Sequence, residues 1–213
     1  MNKLIKLLLS LLLTTCLVGC STSSNEEETN DINETSQVEE ETDTEEKEDT
    51  TKTKKTTSST IETINIESDS IVDGKWITEI SSTSAKTPGS NASPGLVFDT
   101  IDDASEYCIY MIDTTASNWL HWKATGLTEV FYEKGSNVGK YVGPYPPSGT
   151  HTYVVYVFAL KDKPDTYPGN MDSKNSSIDT IQSSLDISNG NKGNVIGKGS
   201  ISATVTSGGE IVE

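Results

Sequence analysis

Arginine is absent from this chain. All 16 basic side chains are lysine, set against 32 acidic ones for a formal net charge of −16. A nucleic-acid binder needs a basic face for the phosphate backbone, so that class is excluded. Aromatic residues are missing from the first third, since all 14 lie between Trp76 and Tyr167. Large aliphatics are nearly missing from Ser21–Thr60 too, where only Ile32 and Val38 stand. Such a segment cannot bury enough apolar area to offset the entropy of ordering it, which excludes a packed core there. No apolar run reaches the length of about 20 residues that a comfortable membrane span needs. Neither Gly-x-Ser-x-Gly nor Gly-x-x-x-x-Gly-Lys occurs, which removes the usual sequence support for a serine hydrolase or a nucleotide hydrolase. Histidine and cysteine are scarce, at two and three residues.

The amino terminus carries an address. Lys3 and Lys6 precede the short apolar stretch Leu7–Val18, the layout of a secretion signal over residues 1–19. The stretch ends in Leu17-Val18-Gly19-Cys20, which resembles the lipobox of bacterial lipoproteins. That resemblance implies that Cys20 is acylated and becomes the first residue of the mature chain. The protein would then sit on the cell membrane, outside the cytoplasm, without spanning it. Cys16 leaves with the signal and Cys108 remains as a lone thiol, so no intramolecular disulfide is expected. Within the apolar run Tyr107–Ile112, Cys108 reads as a small buried hydrophobe. Residues 20–70 read as the lipidated cysteine and a disordered acidic linker, with 16 acids and 4 lysines in Ser21–Ser70. A flexible chain of that length spans roughly 40 Å, and like-charge repulsion extends it. The linker reads as a tether, with an acidic docking tail for a basic partner as the alternative.

Residues 71–213 suffice for one ordinary domain, and they read as all-β. Residues 75–80 suggest a weak strand start. Tyr107–Ile112 is rich in β-formers and apolar throughout. Thr152–Leu160 has both faces apolar, which predicts a central strand. Ser200–Thr206 alternates, which suits a half-exposed strand. Ile178, Ile181 and Leu185 recur at helical spacing behind a possible Ser177 cap, predicting one short C-terminal helix over Ser177–Ile187. Loops thick in Gly, Pro, Ser and Asn join these elements, and the pattern predicts an antiparallel β-sandwich.

Three segments, in order, resemble the phosphatidylethanolamine-binding protein family, in its bacterial Raf kinase inhibitor-like branch. Gly89-Ser-Asn-Ala-Ser-Pro94-Gly-Leu96-Val-Phe98 is similar to the family's Gly-x-Asn-x-Ser-Pro-x-Leu-x-Trp entry. Asp113-Thr-Thr-Ala-Ser-Asn-Trp-Leu-His121-Trp122 resembles its Asp-Pro-Asp-x-Pro stretch followed by His-Trp. Tyr141-Val-Gly143-Pro-Tyr-Pro146-Pro147-Ser-Gly149-Thr-His151-Thr152-Tyr153 is similar to Tyr-x-Gly-Pro-x-Pro-Pro-x-Gly-x-His-Arg-Tyr. The likeness covers residues about 74 to 206. It implies a β-sandwich of the family's type and a small anion pocket bordered by Asp113, His121, Pro146, His151 and Tyr153. Two departures stand out. Thr115 replaces the second acid of the Asp-Pro-Asp motif, and Thr152 replaces the arginine, losses expected to loosen the rim or alter which head group fits.

The same residues make chemical sense without the resemblance. A protonated imidazole offers two N–H donors to a phosphoryl oxygen, and a neighbouring aspartate fixes its tautomer. Gly143 and Gly149 would let backbone N–H groups approach an anion. Trp119, Trp122, Tyr153 and Tyr156 read as packing, Tyr153 doubling as a pocket wall. Asp113, His121 and His151 as a metal set lack close spacing, and Ser93 shows no catalytic partner. The reading is a non-enzymatic lipoprotein, needing no metal or cofactor, that binds a small anionic or phospholipid head-group ligand. The alternative is an inhibitor of an envelope peptidase or an adaptor for an envelope protein.

Overall fold

The computed structural model describes residues 60–136 and 138–213. The signal at 1–19, the lipidation site Cys20 and the linker as far as residue 59 lie outside them. Short strands open the described chain at Glu62–Thr63 (β1), Ile66–Glu67 (β2), Ile71–Val72 (β3) and Lys75–Trp76 (β4), followed by a 3₁₀ turn at Thr78–Ile80. Next come Leu96–Phe98 (β5), Glu106–Asp113 (β6), Trp119–Leu127 (β7), Phe131–Tyr132 (β8), Lys140–Tyr141 (β9) and Thr150–Leu160 (β10). The helix Ile178–Leu185 (α1), a small ladder of Ile187–Ser188 (β11) and Asn191–Lys192 (β12), and the long strand Val195–Thr206 (β13) complete it.

The main sheet runs β3-β4-β13-β10-β6-β7-β9, with β1 also paired to β13. A second sheet, β2-β5-β8, packs its Phe98 and Tyr132 toward Tyr107 of β6, with the Phe98 and Tyr107 rings 5.2 Å apart. The sandwich is mostly antiparallel, but β1 and β4 join β13 in parallel.

The two-sided apolar strands explain themselves here. On β6, Tyr107, Ile109 and Met111 enter the core between the sheets, while Cys108, Tyr110 and Ile112 enter a second core on the opposite face. On β10, Tyr153, Val155, Val157 and Ala159 take the first face, and Phe158 and Leu160 take the second. A strand buried on both faces has no polar positions to alternate with. The second core is closed by Ile181 and Leu185 of α1, which Ser177 caps by accepting the Thr180 N–H. With neighbours on both edges, β10 is central, as its composition predicts.

Two expectations change. Residues 75–80 hold only a two-residue strand before the chain turns into 3₁₀ geometry. Order also begins before residue 71. Ile64 is buried at 3 % exposure and its N–H donates to Lys198, while β2 pairs with β5. The alternation of Ile64 and Ile66 carries the inward face that makes this stretch part of the sandwich rather than of the linker.

Candidate functional site

The ends of three strands and two loops enclose a cavity of about 370 Å³, within the range of small-ligand sites. Asp113, His121, Pro146, His151 and Tyr153 all line it, with Trp119, Tyr145 and Lys174 among the other walls. The five residues singled out from the sequence therefore share one concavity.

Register accounts for three of them. Tyr153 on β10 stands directly opposite Asp113 on β6, so both point to the same face. His151 lies two residues from Tyr153 and shares that face, within diagonal reach of Asp113. Its Nδ1 approaches Asp113 Oδ2 at 2.6 Å. The other carboxylate oxygen accepts the N–H groups of Thr115 and Ala116 at 2.9 and 3.0 Å. Asp113 is 2 % exposed, yet both of its oxygens are partnered, as a buried carboxylate requires.

His121 arrives by a different device. Met111 pairs with Trp122 and Ile112 pairs with Leu120, so the β6–β7 ladder passes over His121. An extra residue of this kind re-aims the side chains around it. Leu120 enters one core and Trp122 the other, although residues two apart on a regular strand share a face. The freed imidazole lies edge-on to Tyr145 and Tyr153, with centroids 5.6 and 5.1 Å away. Its Nδ1 is 2.8 Å from the Val142 carbonyl oxygen. Burial lowers its pKa from 6.5, outweighing the hydrogen bond to Val142 and the charges of Asp113 and Asp172. His121 therefore meets the cavity as a neutral ring, not as the two-donor imidazolium the sequence suggests. Burial, and after it the Asp113 charge, raises the Tyr153 phenol above its ordinary range and keeps it protonated.

The outer wall comes from the segment after β10. It pairs with Leu120 of β7, where Asp172 N–H donates to Leu120 O at 2.9 Å and Leu120 N–H donates to Ser173 O at 3.0 Å. Asp172 accepts hydrogen bonds from the Tyr145 hydroxyl and from Trp119 Nε1, which hold its carboxyl below the usual range. In turn the Tyr145 phenol is pushed up to about 12 by burial and by its bond to Asp172. Trp119, read as packing from the sequence, is a rim residue. Three non-glycine residues at this rim, Ser117, Asn118 and Asp172, hold left-handed backbone with φ of 55°, 58° and 52°, a conformation retained where surrounding contacts enforce it. Tyr145 and Trp119 sit inside the motifs quoted above and were within reach of sequence reasoning. Nothing local marks Lys174 or Asp172.

One further correction follows from the same geometry. Gly143 is no anion cradle, because its N–H donates to Asn91 Oδ1 at 2.7 Å. The glycine is required by close packing, since a Cβ there would stand 2.3 Å from the Ile80 oxygen. Thr115 and Thr152, the two departures from the quoted motifs, stand side by side at the rim. Both departures meet at one contact, where Thr115 Oγ1 accepts the Thr152 N–H at 3.0 Å and Thr114 N–H donates to Thr152 O at 3.0 Å. Lys174, on the outer segment, is the lysine among the residues lining the cavity. Among the described residues no cluster of three or more His, Cys, Asp or Glu is arranged to hold a metal ion, and no helix is long and apolar enough to cross a membrane.

A family profile described as phosphatidylethanolamine-binding protein matches residues 67–206. YbcL of E. coli, described as a member of the mammalian PEBP family, is similar in structure with a TM-score of 0.52 and 18% identity, over 67% of this chain and 98% of its own. A PEBP homologue from Chlamydia trachomatis gives a TM-score of 0.49 at 18% identity, over 67% of this chain and 97% of its own. No curated protein matches the chain.

Proposed function

The chain belongs to the phosphatidylethanolamine-binding protein family, and from that premise we propose that it is a lipid-anchored extracytoplasmic protein binding a small anionic, phosphoryl-bearing ligand without catalysing its conversion. One observation carries the reading: Asp113, His121, His151 and Tyr153 converge on a single cavity that Lys174 also lines. The Asp113 carboxylate is fully engaged inside the protein and holds the His151 Nδ1–H, so the remaining nitrogen of His151 is left for a ligand. An imidazolium at this place would donate a charge-assisted bond to a phosphoryl oxygen, and Lys174 lines the same cavity. The walls between these groups are the faces of Trp119, Tyr145, Pro146 and Tyr153, suited to the apolar part of a head group.

The membrane placement rests on Leu17-Val18-Gly19-Cys20 and the acidic stretch that follows. Replacing Cys20 by Ser should move the protein from the membrane to the soluble fraction, and continued membrane retention would remove the anchor. The binding reading is tested by NMR titration of the two histidine rings in the full chain with phosphoethanolamine and inorganic phosphate. Both rings should move at millimolar ligand. If neither moves, the phosphoryl reading fails and inhibition of an envelope peptidase becomes the function to screen.

A further inference from the structure

A second cavity, of about 200 Å³, lies beside β4 and the end of β13 and shares no lining residue with the first. Two opposite charges line it, Lys75 from β4 and Glu210 from the segment that follows β13. The ion pairs among the described residues are Lys134–Glu79, His151–Asp113 and Lys198–Asp179, so neither charge is matched by a side chain of the protein. The backbone that carries each of them is nevertheless fixed. Lys75 pairs with Val72 and with Thr204. Glu210 stands between two fastenings. On one side the Thr87 hydroxyl donates to Gly209 O at 2.8 Å. On the other, the Val212 N–H donates to Thr78 Oγ1 at 2.8 Å and the Thr78 N–H donates to Val212 O at 2.8 Å. Both threonines line the cavity and have capacity left. Thr78 Oγ1 keeps a hydrogen to give, and Thr87 Oγ1 keeps lone pairs to offer. Trp76, Val205 and Val212 supply apolar wall.

We propose that this cavity is a second binding site and that it takes a small zwitterion, a free α-amino acid with a compact apolar side chain. An anion alone would be drawn to Lys75 and repelled by Glu210, and a cation alone would meet the reverse. A zwitterion satisfies both charges at once, which is a basis for selecting it over either. Its carboxylate meets Lys75 and accepts the Thr78 hydrogen, its ammonium meets Glu210 and donates to Thr87, and its side chain rests on Trp76 and Val205. Sites for drug-sized ligands run from about 300 Å³ upward, so the volume here keeps the molecule small. Because the backbone under both charges is already held, little ordering is left for the ligand to impose. The phosphoryl reading of the first cavity is not needed for this one, and either site can fail alone.

The test is an NMR titration of the full chain with three probes: L-valine, valinol, which lacks the carboxylate, and isovalerate, which lacks the ammonium. Millimolar valine should shift the Gly209 and Val212 amides and the Trp76 ring while leaving the His121 and His151 rings in place. Valine should bind about tenfold more tightly than either analogue, each of which forfeits one ion pair and one hydroxyl contact. K75Q and E210Q alter exposed side chains, so both variants should fold. Each should weaken valine by about threefold or more, the worth of one partly exposed ion pair. The pattern across probes is the sharper readout: K75Q should erase the preference for valine over valinol, and E210Q the preference over isovalerate. Equal binding of the three probes, or no response at Gly209 and Val212 to valine, would overturn the proposal. Movement of the histidine rings in place of those amides would put valine in the first cavity and overturn it equally. The comparison of probes uses the native protein and so stands whatever the variants do.

Discussion

His151 Nδ1 lies 2.6 Å from Asp113 Oδ2, and the same carboxylate ties down the start of the β6–β7 turn through Thr115 and Ala116. One side chain thus orients the imidazole and holds the rim. The two roles separate under substitution. In D113N the amide oxygen can still accept the two backbone N–H groups, so stability by urea denaturation should change by about 1 kcal/mol or less. Its NH₂ would meet the imidazole with a donor and reverse the ring tautomer, and phosphoethanolamine affinity should fall at least tenfold. D113A loses all three partners and should cost about 3 kcal/mol. Unchanged affinity in D113N would sink the orienting role.

Acid should weaken the fold through His121. Its folded pKa lies below the unfolded value of 6.5 because burial penalises the charged ring. Below that value the unfolded chain takes up a proton that the folded chain refuses. This contribution to stability is therefore complete above about pH 6.5 and declines as pH falls, by up to about 1.4 kcal/mol per unit, until the folded ring also protonates. Urea midpoints from pH 7.5 to 5 should show a steeper fall for the native chain than for H121Q. Parallel curves would mean that the ring is not held neutral.

Gly143 transmits packing to the site. A methyl group there would press into the Ile80 oxygen at 2.3 Å and the Ser82 nitrogen at 2.6 Å. Both are backbone atoms that cannot rotate aside. G143A should lose about 1–3 kcal/mol, the usual range for overpacking. It should also weaken phosphoethanolamine binding, since Val142, Tyr145 and Pro146 ride on the same loop. Thermal melts and the ring titration read the two effects, and an unperturbed variant would refute the packing argument.

Cys108 should be chemically silent in the folded protein. It is fully buried on the same face of β6 as Tyr110 and Ile112, and burial, helped by Glu106, pushes its thiol up to about 12. A thiol-reactive dye at pH 8 should label it only after denaturant is added. C108S should cost about 1–3 kcal/mol by burying a hydroxyl in an apolar site. Rapid labelling of the native protein would show that the strand opens.

The local pattern of this chain was sufficient to mark its central strands and its helix, and the resemblance of its motifs marked the residues that share a cavity. Tyr107–Ile112 and Thr152–Leu160 are apolar at every step because both faces are covered, and Ile178, Ile181 and Leu185 keep helical spacing over one core. Such signals are periodic and need only neighbours along the chain. The motif residues Asp113, His121 and His151 were likewise legible as a set. What they do to one another was not. The Tyr153–Asp113 register, the ladder's passage over His121, the outer wall with Asp172 and Lys174, and the crowding behind Gly143 all arise where segments distant in sequence come together. Pairing across the sheet, and the burial it creates, decided what holds each imidazole, the Asp113 carboxylate for His151 and the Val142 carbonyl for His121, and no spacing along the chain encodes that.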